Sequence, residues 1–142
     1  MKPTTDENPP LGFLVVRVAE AIDRSFVDAL AELGLKPREL RLLVLVDRSP
    51  GLSQRELADA LDVDAGNLIA SLDALDQRGV LKRVRDTTDR RQRRVTLTDE
   101  GQRLLAAAIR ATAAFETKIF KRLSSTQLRS YYKMTRAVYE GL

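Results

Sequence analysis

The spacing of apolar residues changes from a helical period to a period of two at Val80, and this change constrains the fold more than any other feature. Before Val80, apolar residues recur every three or four positions, which is typical of amphipathic helices. From Val80 to Leu97, apolar and polar residues alternate instead, which is typical of strands. The polar segment from Asp86 to Arg91 interrupts this alternation, so the sequence predicts a β-hairpin with a long charged tip.

Glycine, proline and capping residues divide the rest of the chain into helices. Gly34 is expected to end the first helix and Pro37 to begin the second. Ser53 to Glu56 has the form of a capping box, and Asp64 and Thr98 are good N-caps. The predicted helices are 11–33, 37–48, 53–61, 64–78, 98–123 and a last one after position 126. The order α-α-α-α-β-β-α-α describes a mainly α protein in which a helix-turn-helix is followed by a small β-hairpin wing.

The amino-acid composition excludes several kinds of chemistry, because the chain contains no cysteine and no histidine. Disulfides, thiol redox chemistry, imidazole bases and thiolate or imidazole metal sites are therefore impossible. The sequence also contains no nucleophile-elbow motif and no loop with calcium-binding spacing. We expect a protein that is not an enzyme and that carries no cofactor and no metal.

Positive charge is concentrated between Lys82 and Arg94, which holds seven basic and two acidic residues. The rest of the chain is nearly balanced, with 17 basic and 18 acidic residues. An excess confined to thirteen consecutive residues of the predicted hairpin indicates contact with a polyanion. An ordinary solvated loop is the alternative interpretation.

The N-terminal residues 1–10 contain three prolines and two acidic residues and are expected to form a flexible tail. They lack the basic start and apolar stretch of a signal peptide, and the longest apolar runs of the chain are far too short for a membrane span. We therefore expect a cytoplasmic protein with no membrane partner.

Four stretches of the sequence resemble the MarR family of bacterial transcription regulators: Leu52–Ala58, Arg78–Leu81, Asp89–Arg91 and Val95–Gly101. The wing pattern Asp-x-Arg, leading into Leu-Thr and then Gly, is the most specific part. The resemblance covers nearly the whole chain. It implies a winged helix-turn-helix DNA-binding domain at 37–98.

The same resemblance implies a two-lobed homodimer, whose helical dimerisation region comprises 11–34 and 99–142 with interlocked terminal helices. The apolar stripes of these helices need burial that one small monomer cannot easily supply. The alternative is an intramolecular three-helix bundle. The expected partners are a second copy of the chain and double-stranded DNA carrying a short inverted repeat, because a two-fold dimer presents two recognition helices to two half-sites.

By the resemblance, the helix from Asp64 to Arg78 is the recognition helix. Asn67 is a candidate for reading adenine, and Ser71 for a bond to a base or phosphate, while apolar residues could contact thymine methyl groups. Asp73 and Asp76 are expected to repel phosphate. The candidate contacts on this helix are Ala65, Asn67, Ile69, Ala70 and Ser71.

Most of the affinity for DNA is therefore expected to come from the wing and from contacts between basic residues and the DNA backbone. The resemblance implies that the wing enters the minor groove with Arg90 or Arg91 at its tip, and that Asp89 braces an arginine through a bidentate pair. Arg38, Arg41 and Arg55 are candidates for backbone contacts. The wing candidates are Arg85, Arg90, Arg91 and Arg93.

The family also senses small phenolic or anionic molecules in a cleft between the two lobes. Phe13, Arg17, Arg41 and Leu42 are candidates to line such a cleft, with Arg17 as the partner of an anion. The sequence thus predicts a homodimeric, sequence-specific repressor that is released by a small aromatic or anionic effector. A winged-helix protein-interaction module and a low-specificity architectural DNA binder remain the alternatives.

Overall fold

The computed structural model describes residues 9–142. The predicted flexible tail therefore lies outside the described residues, apart from Pro9 and Pro10. The elements are α1 (Leu11–Ala31), α2 (Pro37–Arg48), α3 (Gln54–Leu61), α4 (Ala65–Gln77), β1 (Leu81–Arg85), β2 (Arg93–Leu97), α5 (Asp99–Ile119) and α6 (Ser125–Glu140). The predicted order of helices and strands is confirmed, and the fold is a winged helix-turn-helix with long flanking helices.

The predicted capping residues start their helices as expected. The Ser53 hydroxyl accepts a hydrogen bond from the Glu56 N–H at 3.2 Å, and the Glu56 carboxylate accepts one from the Ser53 N–H at 2.7 Å. The side chains of Asp64 and Thr98 cap α4 and α5, and each accepts a hydrogen bond from the third backbone N–H of its helix. These bonds satisfy amides that the first turn of a helix otherwise leaves without partners.

Two helices end earlier than predicted. Helix α1 ends at Ala31 rather than Leu33, and Gly34 follows in the left-handed conformation with φ at +62°. Helix α5 ends at Ile119 rather than Leu123. The chain turns there, and the centroid of the Phe120 ring lies 5.5 Å from the centroid of the Tyr131 ring of α6. An aromatic pair of this kind contributes about 0.5–1.5 kcal/mol beyond the burial of its area.

The hairpin pairs antiparallel from Leu81 opposite Leu97 to Arg85 opposite Arg93. A third short segment lies along the other edge of β2, where the Gly51 N–H donates to the Val95 carbonyl and the Val95 N–H donates to the Leu52 carbonyl, both at 3.0 Å. The sequence-based prediction missed this segment. It ties the turn before α3 to the wing.

One hydrophobic core joins the end of α1, helices α2 to α5 and the base of the hairpin. Helix α4, the predicted recognition helix, and the wing are therefore anchored in the same core. Its fully buried large side chains are Leu30, Leu42, Leu43, Val46, Leu57, Leu72, Leu75, Val80, Leu81 and Val95.

The N-terminal half of α1 and all of α6 lie outside this core. Helix α6 has no buried residue along its length, and every side chain from position 11 to position 20 is exposed. Large apolar side chains are nevertheless frequent on both: Leu11, Phe13, Leu14, Val15, Val16, Val18, Leu128, Tyr131, Tyr132, Met134, Val138 and Tyr139. Exposed apolar surface of this extent is typical of an interaction surface. Within residues 9–142, no helix is both long enough and apolar enough to span a membrane.

Gly101 sets the distance between α5 and the base of the wing. A Cβ atom at this position would lie 2.0 Å from the Val80 carbonyl oxygen. Alanine normally stabilises a helix interior relative to glycine by about 0.5–1 kcal/mol. We predict the opposite for Gly101→Ala, a loss of about 1–3 kcal/mol, because backbone atoms must move to relieve the overlap.

Urea unfolding followed by circular dichroism at fixed protein concentration measures this effect. Ala106→Gly is the matched control, because Ala106 is an exposed residue of the same helix and its replacement measures the ordinary preference for alanine over glycine, about 0.5–1 kcal/mol. Equal stability of the Gly101→Ala variant and the wild type would contradict the prediction.

Candidate nucleic-acid interface

Helices α3 and α4 form the predicted helix-turn-helix. Asp62 ends α3 in the left-handed conformation with φ at +52°, which lets the chain reverse within three residues. Helix α4 buries Leu68, Leu72 and Leu75 against the core. Its opposite face leaves Ala65, Gly66, Asn67, Ile69 and Ala70 exposed, as predicted for these positions.

Ser71 differs from this prediction. Its side chain is buried, with 6% of the residue exposed. The reason is helical geometry, because Ser71 lies three residues after Leu68 and four before Leu75 and so shares their inward face. It lines a small cavity beside Arg38 and Asn67. The prediction that Ser71 is available for a base or phosphate contact is therefore wrong in this structure.

The Asn67 side chain is held by the cap of its own helix. Its amide nitrogen donates to the Asp64 carboxylate, which also accepts the Asn67 backbone N–H at 3.0 Å. The backbone hydrogen bond from Asn67 is the main reason that the pKa of Asp64 lies below its usual value. An adenine contact would require Asn67 to exchange the side-chain bond for one with the base.

Arg83 joins the wing to the recognition helix. Its Nη2 lies 2.8 Å from Asp73 Oδ1 and 2.9 Å from Asp76 Oδ2, and its Nε donates to Asp76 at 3.0 Å. Partial burial disfavours the charged guanidinium, but the hydrogen bonds to Asp76 and Asp73 outweigh it and raise the pKa of Arg83. Arg83 therefore offsets part of the repulsion of phosphate that is expected from Asp73 and Asp76, because one positive charge lies against two negative charges.

Arg94 joins the tip of the wing to the start of α3. Its Nε and Nη2 donate to Asp86 Oδ2 at 3.1 and 2.8 Å, while Nη1 donates to the Gly51 carbonyl at 3.0 Å and lies 3.4 Å from Glu56. A backbone hydrogen bond from Thr88, followed by the bond from Arg94, lowers the pKa of Asp86. The pKa of Glu56 is lowered mainly by the Ser53 N–H of the capping box.

The predicted brace between Asp89 and an arginine is wrong. Asp89 Oδ1 accepts the backbone N–H of Arg91 at 3.0 Å, and Oδ2 accepts from the Gln92 side chain at 3.4 Å. Asp89 therefore shapes the turn at the tip, as short Asp side chains commonly do. Asp86 pairs with an arginine instead, because it lies two residues after Val84 and so on the face of the hairpin that carries Arg94, the partner of Val84.

The other wing cations have no acidic partner among residues 9–142. All are exposed: Lys82, Arg85, Arg90, Arg91 and Arg93. Arg85 and Arg93 stand directly opposite each other in the last pair of the ladder, on the same face as Arg83. Like charges in this arrangement destabilise a free hairpin, and an anion between them would relieve the repulsion. The predicted backbone-contacting residues Arg38 and Arg55 are exposed as well.

A cleft of about 620 Å³ lies between α1 and α2. Among the predicted effector residues, only Arg41 lines it. Phe13 and Arg17 are exposed on the N-terminal half of α1, with Arg17 3.8 Å from Glu20, and Leu42 is buried in the core. Within one chain, Phe13, Arg17 and Leu42 do not line the cleft that contains Arg41, and the burial of Leu42 in the core contradicts its predicted role. The cleft is lined by Ala19, Ile22, Asp23, Phe26, Pro37, Leu40, Arg41, Val44 and Leu61.

Comparison with known proteins agrees with this architecture. A family model described as the MarR family matches residues 33–92. An HTH-type transcriptional repressor of Mycobacterium tuberculosis is 30% identical over 128 residues, which cover 90% of this chain and 92% of that protein. The transcriptional regulator HosA of Escherichia coli is 31% identical over 101 residues, which cover 71% of this chain and 74% of HosA.

Solved structures are similar over the same extent. The transcriptional repressor CouR, bound to a 23-mer DNA duplex, superposes with a TM-score of 0.84 at 30% identity and 92% coverage of both chains. Wild-type apo MarR of Escherichia coli, at 24% identity, shares the fold with a TM-score of 0.80 over 93% of this chain and 98% of that one. With its helix-turn-helix, its arginine wing and relatives that match along nearly its whole length, the chain belongs to the MarR family of transcriptional regulators.

Proposed function

We propose that this protein is a homodimeric repressor that binds a short inverted repeat in double-stranded DNA and acts in the cytoplasm without catalysing a reaction. The observation that carries the proposal is the distribution of charge at the interface. Acidic side chains beside the recognition helix and the wing are paired with Arg83 and Arg94, whereas five exposed wing cations have no acidic partner among the described residues. The DNA-bound relative CouR supports the same assignment.

The two parts of the interface would act differently. The exposed face of α4 between Ala65 and Ala70 is small and uncharged, so it can approach base edges and contact thymine methyl groups. It offers nothing to neutralise phosphate. The wing arginines would supply that charge in the minor groove, where planar guanidinium groups fit a narrow and strongly negative channel. Arg38 and Arg55 would contact the backbone at the edge of the same surface.

The dimer would be formed by the apolar helices that the core leaves uncovered. Between α5 and α6 lies a groove whose lining includes Phe120, Leu128, Tyr131 and Tyr132. The N-terminal half of α1 is the complementary apolar element of the chain. We assign the groove to the first helix of a second copy, because a two-fold arrangement covers both surfaces at once.

The cleft between α1 and α2 would bind the effector. Its lining is almost entirely apolar, with Arg41 as its only cation and Asp23 as its only anion among the lining residues. Ligand sites typically combine an apolar lining with a few polar groups that orient the ligand. A small aromatic anion fits this chemistry, with its ring against Phe26 and its charge towards Arg41. Arg41 replaces Arg17 as the proposed anion partner.

Replacing Arg90 and Arg91 with alanine tests the wing. We predict a loss of affinity of at least about tenfold at physiological salt, and a shallower dependence of affinity on salt, because fewer counterions are released. Fluorescence anisotropy with DNA selected by the wild type measures both. Arg24→Ala/Arg110→Ala removes the same charge from exposed positions on α1 and α5 and should bind normally. Unchanged binding by the wing variant would rule out the wing as the main source of affinity.

Replacing Phe13 and Val16 with glutamate tests the dimer. Both side chains are more than half exposed and lie outside the core of the monomer, so the helical content should remain while the dimer dissociates. Light scattering after size-exclusion chromatography should show twice the chain mass for the wild type and one chain mass for the variant. Ala60→Glu, on the exposed face of α3, is the control. A variant that stays dimeric would exclude this surface.

Benzoate and its neutral counterpart benzamide test the effector site. We predict that benzoate raises the unfolding temperature and weakens DNA binding, and that Arg41→Met removes both effects by deleting the cation of the cleft. Scanning fluorimetry and anisotropy measure them. Equal effects of benzoate and benzamide would refute recognition of the anion, and no effect of either would refute an effector of this class.

A further inference from the structure

The C-cap residue of α4, Arg78, makes a contact that neither the wing nor the DNA-facing surface explains. Arg78 follows Gln77 at the C-terminal end of α4, and its guanidinium reaches the loop between α1 and α2. Nη1 donates to the Gly34 carbonyl and Nη2 to the Leu33 carbonyl, both at 2.8 Å. These bonds connect positions 44 and 45 residues apart in the chain.

Local geometry explains why this loop offers two acceptors. Helix α1 has no basic residue in its last turn to balance the negative end of its dipole. Gly34, in the left-handed conformation, turns the chain directly after the helix. The carbonyls of Leu33 and Gly34 then accept hydrogen bonds from the two terminal nitrogens of one guanidinium group. Such a planar pair of donors suits arginine, because a lysine ammonium cannot present two parallel N–H groups.

The contact joins two helices, α1 and α4, that share one hydrophobic core but make few direct contacts with each other. Helix α4 packs mainly against α3 and β1, whereas α1 packs against α5 and α2 and lines the cleft through Ile22 and Phe26. We propose that Arg78 is a positioning residue that holds the recognition helix in register with α1. A change in the position of α1, on dimerisation or on effector binding, would thereby move α4, which carries the DNA-facing surface. This inference rests on the proposed function.

The test compares Arg78→Met, Arg78→Lys and the control Arg48→Met, which removes the same charge from the exposed end of α2. Arg78→Met should weaken binding to the selected inverted repeat by about tenfold, since two hydrogen bonds to a charged group are lost. Binding to random duplex should change less than about twofold, because the wing is untouched. Arg78→Lys, which can restore one bond, should be intermediate.

A second measurement follows the geometry directly. The chain contains no cysteine, so Ala74→Cys on the exposed face of α4 carries a single spin label in each protomer. Arg78→Met should broaden the distribution of label-to-label distances in the dimer, and benzoate should shift it less than in the wild type. Arg48→Met should leave the distribution unchanged.

The outcomes are distinct. An unchanged ratio of selected to random affinity together with an unchanged distance distribution in Arg78→Met would overturn the positioning role. If that variant does not fold, the same two readouts on Arg78→Lys decide. Failure of the wild type to select any inverted repeat would instead refute the proposed function, and the spin-label distances would still test Arg78.

Discussion

The pairing of Arg83 with Asp73 and Asp76 is the interaction on which the DNA-facing surface depends. It lies where the wing meets the C-terminal half of α4, and the Arg83 side chain is only 19% exposed. A half-buried guanidinium without partners would carry a large desolvation cost, and two unpaired carboxylates beside the wing would repel phosphate. The three side chains together hold the hairpin against the helix, give the guanidinium its partners and halve the net negative charge of the two carboxylates.

Arg94 has a related role on the opposite face of the hairpin, because its bonds to Asp86 and the Gly51 carbonyl hold the tip to the turn before α3. Two of the seven basic residues between Lys82 and Arg94 are therefore engaged within the protein. The charge offered to a partner belongs to the other five. Neighbouring arginines of the wing therefore differ in role: Arg83 and Arg94 hold the wing to the rest of the protein, and the others project into solvent.

The features predicted correctly from the sequence are those that depend on interactions between residues close together in the chain. The caps at Ser53, Asp64 and Thr98 and the reversal at Gly34 depend only on local hydrogen bonding and backbone conformation, and the structure contains all of them. The segment before α3 was missed because a run of three residues is too short to show alternation.

The errors at the candidate site have a different origin. Helical periodicity places Ser71 on the inward face of α4, whereas its polar side chain alone favours an exposed position. The structure follows the periodicity. The partners of Arg83 and Arg94 and the lining of the cleft depend on how elements cross in space. Arg17 and Arg41 cannot be distinguished as cleft residues until the contact of α1 with α2 is known, and that contact involves Ile22 and Phe26 rather than the start of α1. The pairing of charges and the choice of cleft residues are thus tertiary properties.

The uncharged surface of α4 has a consequence for specificity. A recognition helix that carries arginines gains about 1–3 kcal/mol from each bidentate contact with a base, so it tolerates some error in its placement. Here the exposed side chains Ile69 and Ala70 offer only apolar contacts, which lose about a quarter to a half of their dispersion energy when a gap of about 0.5–1 Å opens. Under the proposed function, discrimination between DNA sequences would then depend on Asn67 and on where the helix is held. The contacts that hold it, from Arg83 on the wing side and Arg78 on the α1 side, therefore matter more to specificity in this chain than in a relative that reads bases with charged side chains.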